Sequence, residues 1–259
     1  MNIDFHVHGI LSKRKEFNIT FFMNEILFAK ECGINGIFLC EHYNAVEFNK
    51  IHEYLRDYYT YYGDRYIVNN VSIFPAIEVN VKNKGHVVLA SDRDSILDIR
   101  AYLEKYITSN DKIELEDLLD LADLYNCFKI GAHPCRRGHK LCNHPIELLS
   151  RLDALDLNGK DIYKKGEATA RDELIELSSK LGKNIITGSD SHTPLQIGAL
   201  YTKLNRQCIT INEIKKCIEE NDYSVEIKEN LDFKIYSSKI LKRSLISAGK
   251  YDKNTDFKI

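Results

Sequence analysis

The chain has 259 residues, 44% of them hydrophobic, and a formal net charge of −2. That is apolar material enough for one large domain with a full core, and the near-neutral balance excludes a global electrostatic pull toward nucleic acid or membrane. No apolar run of membrane-spanning length and no charged-then-apolar leader is present, so a soluble, cytoplasmic protein without a secretion signal is expected. Seven cysteines, an odd number without a C-x-x-C pair, argue for reduced thiols rather than a disulfide framework or a zinc ribbon.

Ile3, Phe5 and Val7 alternate with Asp4, His6 and His8, the period-two pattern of a strand. Residues i and i+2 of a strand share a face, so His6 and His8 project together where Gly9 ends the run. Paired neutral imidazoles are a natural start for a metal site. Two ordinary histidines near a terminus are the plainer alternative. Residues 11–18 read as a polar loop carrying Ser12-Lys13-Arg14-Lys15, more simply a solvated turn than an anion site. A helix is predicted over 19–32, with Phe22, Ile26 and Ala29 on one side and Gly33 as its stop. A buried strand over 35–40 runs into Glu41-His42, and a helix follows over 46–59. The strand over 71–81 holds Glu78 in its apolar second half, where a carboxylate must be paired or bound to metal. His86 stands at the start of a strand over 85–90. Amphipathic helices are expected over 94–107 and 114–126, then a strand over 127–132 ending in His133-Pro134.

The loop over 135–140 holds Arg136 and Arg137 and is the most basic turn near these histidines. A short helix over 145–152 precedes a strand over 154–157, which ends in Asn158-Gly159. A helix over 168–181 capped by Gly182 leads to a strand over 184–187, which delivers Gly188-Ser189-Asp190-Ser191-His192. Beyond 210 the pattern weakens to a helix over 212–220, a strand over 223–227 and a basic helix that includes 239–249 with a frayed tail. No repeat or linker divides the chain. About seven strand–helix alternations argue for an α/β fold with a mostly parallel sheet. Polar residues recur at the strand ends, which suits a barrel with its site at the carboxyl ends better than an open sheet. His52, His139 and His144 fall outside this pattern and are expected at the surface.

Taken in order, the segments DFHVHG, EHYN, AIEVN, GHVVLA, AHPCRRG, LDLNG and GSDSH resemble the polymerase and histidinol phosphatase (PHP) family, over residues 2–204. The resemblance implies a distorted, TIM-like (β/α)7 barrel over 1–204, with a C-terminal extension over 205–259 closing or flanking it. It implies two or three divalent metal ions, manganese, zinc or iron. His6, His8, Glu78 and Asp190 would hold one; Glu78 would bridge to a second held by His86 and His133; His42 and His192 would belong to a third. Many members carry an aspartate at the position occupied here by Lys13. Glu16 or Glu41 would then substitute, the third site would be weak or empty, or Lys13 would hold a substrate phosphate.

Metals sharing a carboxylate lower the pKa of a bound water and clamp ester oxygens, so the implied chemistry is phosphoester hydrolysis by a metal-bridging hydroxide. Arg136 and Arg137 are placed for bidentate bonds to phosphate, Arg136 being the stronger candidate for a catalytic part. Asn158 would position substrate or water, or simply form a turn. Ser191 lacks a free His–Asp pair and is not read as a nucleophile. Charge balance and the absence of a nucleic-acid module lean toward a phosphorylated small molecule or nucleotide. The alternatives are an exonuclease acting on nucleic-acid ends, a non-catalytic metal-binding scaffold, and an amidohydrolase-type enzyme. A degraded scaffold would have lost several ligands, and the amidohydrolase reading lacks a strand-end lysine for a carbamate bridge.

Overall fold

The structure, a computed structural model, describes residues 1–247. Its strands are β1 (Asn2–Val7), β2 (Gly36–His42), β3 (Tyr61–Tyr62), β4 (Arg65–Val68), β5 (Val71–Asn80), β6 (His86–Ala90), β7 (Phe128–Ala132), β8 (Ala154–Asn158), β9 (Asn184–Gly188), β10 (Leu200–Leu204) and β11 (Tyr223–Ile227). Its helices are α1 (Ile19–Glu31), α2 (Phe48–Tyr58), α3 (Arg93–Tyr102), α4 (Glu104–Thr108), α5 (Leu115–Leu124), α6 (Ile146–Leu149), α7 (Gly159–Lys165), α8 (Glu167–Leu181), α9 (Ile211–Glu219) and α10 (Leu231–Ser247).

The sheet runs β11-β10-β1-β2-β5-β6-β7-β8-β9 and curls into a nearly closed barrel. Closure is made where Val7 bridges Ser191, just past β9. There the Asp190 N–H donates to the His6 carbonyl at 2.8 Å and the His8 N–H to the Ser191 carbonyl at 2.9 Å. The barrel expected from the sequence is therefore present, but its sheet is mixed rather than mostly parallel. β6 runs antiparallel to both β5 and β7. The physical reason is chain length: a parallel return needs a crossover of a dozen or more residues, and only a short turn separates β5 from β6. Reversal has a consequence for the site, because it brings the amino end of β6, and with it His86, to the carboxyl ends of its neighbours.

Inward stripes read along the strands as Phe38-Cys40-His42, Phe74-Ala76-Glu78, Phe128-Ile130-Ala132 and Ala154-Asp156-Asn158, each apolar low in the barrel and, on three of them, polar at its mouth. Phe5, Phe38, Phe74 and Phe128 plug the interior, with ring centroids of Phe5 and Phe38 4.6 Å apart in an edge arrangement. On β1 the simple alternation fails. Asp4 pairs with Ile37 but Val7 with Leu39, one extra residue on β1. This bulge sends Phe5 into the barrel interior and Val7 into the outer layer with Phe22 and Ile26, so it re-aims the strand where His6 and His8 leave it.

Three elements were not expected from the sequence: the β3–β4 hairpin, α7 and β10. The single helix expected over 94–107 is broken at Leu103 into α3 and α4. The C-terminal helix is present as α10, while Ala248, Gly249 and the tail lie outside the described residues. Its buried positions are Leu231, Ile235, Ser238 and Leu245, a stripe at three- and four-residue spacing. All seven cysteines are free. No helix among the described residues is long and apolar enough to cross a membrane.

Candidate metal centre

The strand-end histidines and carboxylates converge on Glu78. Five imidazoles approach its carboxylate: His86 at 2.7 Å, His42 at 2.9 Å, His133 at 3.2 Å, His8 at 3.5 Å and His6 at 3.6 Å. Asp190 completes the cluster, 3.4 Å from His8 Nε2 and 3.6 Å from His192 Nδ1. Three groupings have donor atoms close enough to share an ion: His6, Glu78 and His133; His6, His8 and Asp190; and His8, His42 and His192. The last is all imidazole. Glu41 lies 4.0 Å from His8 Nδ1, on the ring edge opposite the one that faces Glu78, and accepts the Ile10 N–H. Glu16 is exposed.

Electrostatics fit a cation. His6 Nε2, His8 Nε2, His42 Nδ1 and Glu78 Oε2 are buried without a hydrogen-bond partner, a costly arrangement that a shared metal ion would relieve. Burial opposes charge on Glu78, yet His42, His86 and His6 hold its carboxyl well below the usual range. Burial likewise opposes Asp190, and Lys160 and Arg136 hold it ionised. Burial works against a proton on His6, but Glu78 and Asp156 raise it to about 10. His8 is driven the other way, to about 3, by its burial. The centre is thus short of positive charge at His6 and offers neutral imidazole at His8, His133 and His192.

A second layer fixes these groups. Asp156 Oδ2 faces His6 Nδ1 at 3.3 Å and accepts from Asn158 Nδ2 at 3.0 Å. Gly188 is required there, because a Cβ would sit 2.4 Å from His6 Cβ and 2.9 Å from Asp156 Oδ1. His133 and Asp190 both adopt positive φ, 36° and 53°, a strained backbone for non-glycine residues. Arg136 donates from Nη1 to Asp190 at 2.8 Å, from Nε to Asp161 at 3.0 Å and from Nη2 to Asn158 at 2.6 Å. Lys160 reaches the Asp190 carbonyl at 2.7 Å and its carboxylate at 3.1 Å.

All eight residues expected to hold metal are therefore gathered, and Arg136 and Asn158 stand beside them. Asn158 is also the N-cap of α7, accepting the Lys160 N–H. Lys13 and Arg137 are not gathered. Lys13 lines a side cavity of about 330 Å3 with Tyr43, Asn44 and Asn80. Arg137 is exposed and lines a separate groove with Cys135 and Lys140. Of the histidines expected at the surface, His139 is exposed and leans on His86, and His144 is partly buried against the Lys84 carbonyl. His52 is a correction: it is only 2% exposed, its ring tilted against Phe48 on the inner face of α2. Asp156, Lys160 and Asp161 were missed. Asp156 had a signal, since it is a carboxylate inside an apolar strand like Glu78.

Comparison with known proteins agrees with this architecture. Residues 169–222 match the family described as PHP-associated. No curated protein matches the chain. Among solved structures it is similar to PsfC from Pseudomonas syringae PB-5123, at 22% identity and a TM-score of 0.78, covering 94% of this chain and 98% of that one. It is similar also to the lesion-specific endonuclease PfuEndoQ from Pyrococcus furiosus, at 17% identity and 0.63, covering 86% of this chain and 57% of that one. An amidohydrolase from Chromobacterium violaceum follows at 12% identity and 0.54, covering 86% and 98%. At these identities the structural likenesses concern the fold. What they share with this chain is the α/β barrel, and the PHP-associated match over 169–222 agrees with the resemblance read from the motifs.

Proposed function

We propose that the chain is a metal-dependent hydrolase of phosphoesters, acting on a phosphorylated small molecule or nucleotide. The observation that carries this reading is Glu78 enclosed by five imidazoles, with Asp190 beside it tied to two cations. His6, His8, Glu78 and Asp190 would hold one ion, Glu78, His86 and His133 a second, and His42 and His192 a third. Bound divalent ions, manganese, zinc or iron, would supply an activated water and Lewis acidity toward a phosphoryl oxygen. The chain's own residues do the positioning. Asp156 fixes the tautomer of His6, and Arg136 and Lys160 hold Asp190 in its strained conformation. The two guanidinium N–H groups that those three bonds leave over, and the Lys160 ammonium, supply positive charge where a phosphate would lie.

Hydrolysis of a nucleic acid is the second reading, at an end as the sequence suggests or within a strand, to which the fold likeness to an endonuclease lends support. The test is hydrolysis of an aryl phosphate monoester, an aryl phosphate diester and a single-stranded oligonucleotide, with and without added Mn2+. Mn2+-stimulated turnover lost in His6→Ala and Asp190→Ala is expected. Turnover unchanged in both variants refutes the site, and cleavage of the oligonucleotide alone selects the second reading.

A further inference from the structure

The C-terminal helix holds an anomaly. Its buried stripe, Leu231, Ile235, Ser238 and Leu245, continues at four- and three-residue steps through position 242, and that position is a lysine. Packing on both sides fixes the direction in which it points. One turn before it, Ser238 accepts from Thr193 Oγ1 at 2.8 Å and donates to Gln196 Oε1 at 3.1 Å, and Thr193 directly follows His192. Next to it, Leu241 and Leu245 pack on Leu11 and Phe21. α10 therefore lies across one side of the barrel mouth, from α7 to α1, with Lys242 on its inward line.

The groups that act on Lys242 there are Lys160, Asp190, Glu41 and Glu25, and His192 is affected by it in turn. No carboxylate forms an ion pair with it among the described residues. Asp190 is already engaged by Arg136 and Lys160. Lys242 thus feels the Lys160 ammonium and the same Asp190 that Lys160 already engages. A largely buried cation with no ion pair among the described residues is costly, and an anion between the two lysines removes that cost.

We infer that Lys242, together with Lys160, is an anion subsite of the metal centre that contacts the non-bridging oxygens of the substrate phosphate, and that it selects phosphate monoesters over diesters. A monoester phosphate is a dianion near neutral pH and a diester a monoanion, so a paired-lysine pocket discriminates by charge. This inference deepens the proposed function and rests on it for the identity of the substrate.

The test is calorimetric titration of the metal-loaded protein with inorganic phosphate, alongside kcat/KM for an aryl phosphate monoester and diester. Lys242→Met is expected to weaken phosphate binding at least tenfold and to lower the monoester-to-diester ratio. Its melting temperature should not fall, since methionine suits the buried stripe. Lys242→Arg is expected to recover most of the binding, and Lys242→Gln serves if the methionine variant does not fold. Phosphate binding unchanged in Lys242→Met, or in Lys242→Gln in its place, overturns the inference, as does a wild-type protein that binds no phosphate. A wild-type protein that cleaves no ester but binds phosphate through Lys242 overturns the proposed function and leaves the subsite standing.

Discussion

Asp156→Asn removes one charge and no volume, and its effect follows from three contacts. Asp156 Oδ2 is 3.3 Å from His6 Nδ1, 3.0 Å from Asn158 Nδ2 and 3.4 Å from the His133 N–H. Its other oxygen is buried without a partner, in contact range of Gly188, where no larger residue fits. The carboxylate therefore keeps the proton of His6 on Nδ1 and leaves Nε2 free to face Glu78. An amide in its place must turn its oxygen toward His6 and its NH2 toward the rest of the pocket, losing the charge-assisted bond. Groups that orient a ligating histidine in this way contribute about 10- to 100-fold to metal affinity, or about 1.4 to 2.7 kcal/mol. The assay is competition for Mn2+ or Zn2+ against a chelator of known affinity. An Asp156→Asn protein that folds and holds metal as tightly as the wild type refutes the assignment of His6 as a ligand fixed by Asp156.

Other consequences are as direct. Gly188→Ala forces a Cβ against His6 and Asp156 and is expected to cost about 1–3 kcal/mol in denaturant unfolding, with weakened metal binding; a neutral effect would mean that β9 yields freely. Phe38→Ala opens the aromatic plug below the centre and is expected to lower stability by about 3–5 kcal/mol. Burial lowers the pKa of His52 to about 4 from the ordinary imidazole value of 6.5, so the unfolded chain takes up the proton first. Its contribution is complete above pH 6.5 and is lost as pH falls from there toward 4, by about 1.4 kcal/mol per pH unit. His52→Leu is expected to flatten that acid limb in pH-dependent unfolding, and an unchanged slope would place the titration elsewhere. Chelation of the purified protein is expected to lower its melting temperature, since ligands that bind only the folded state stabilise it.

The barrel and the polar cluster at its mouth were legible because both rest on local pattern. Apolar stripes ending in His42, Glu78 and Asn158 repeat at strand spacing, and Glu78 within Ala76-Ile77-Glu78-Val79 has no reason to be there as a surface group. What was not legible depends on contacts distant in the chain. The bulge on β1 is set by register against β2, so the sequence alternation placed Phe5 and Val7 on one face when they occupy two cores. His52 looked like a surface residue because nothing local shows Phe48 covering it. Lys160 and Asp161 act through Asp190 and Arg136, some 25 to 30 residues away. The antiparallel β6 and the buried Asp156 are the misses that the sequence could have prevented: the turn between Asn80 and His86 was short enough to demand a hairpin, and Asp156 is a carboxylate inside an apolar strand.

The central claim is that the cluster around Glu78 is a metal centre, and metal content per chain of the purified protein, measured by mass spectrometry of the elements, tests it most directly. Two to three ions of manganese, zinc or iron per chain are expected, from the groupings of possible ligands around Glu78, His8 and Asp190. Most of that content should disappear in Glu78→Gln, with the fold retained by circular dichroism. A protein that takes up none of these metals when they are supplied, or a Glu78→Gln variant that holds as much as the wild type, would contradict it.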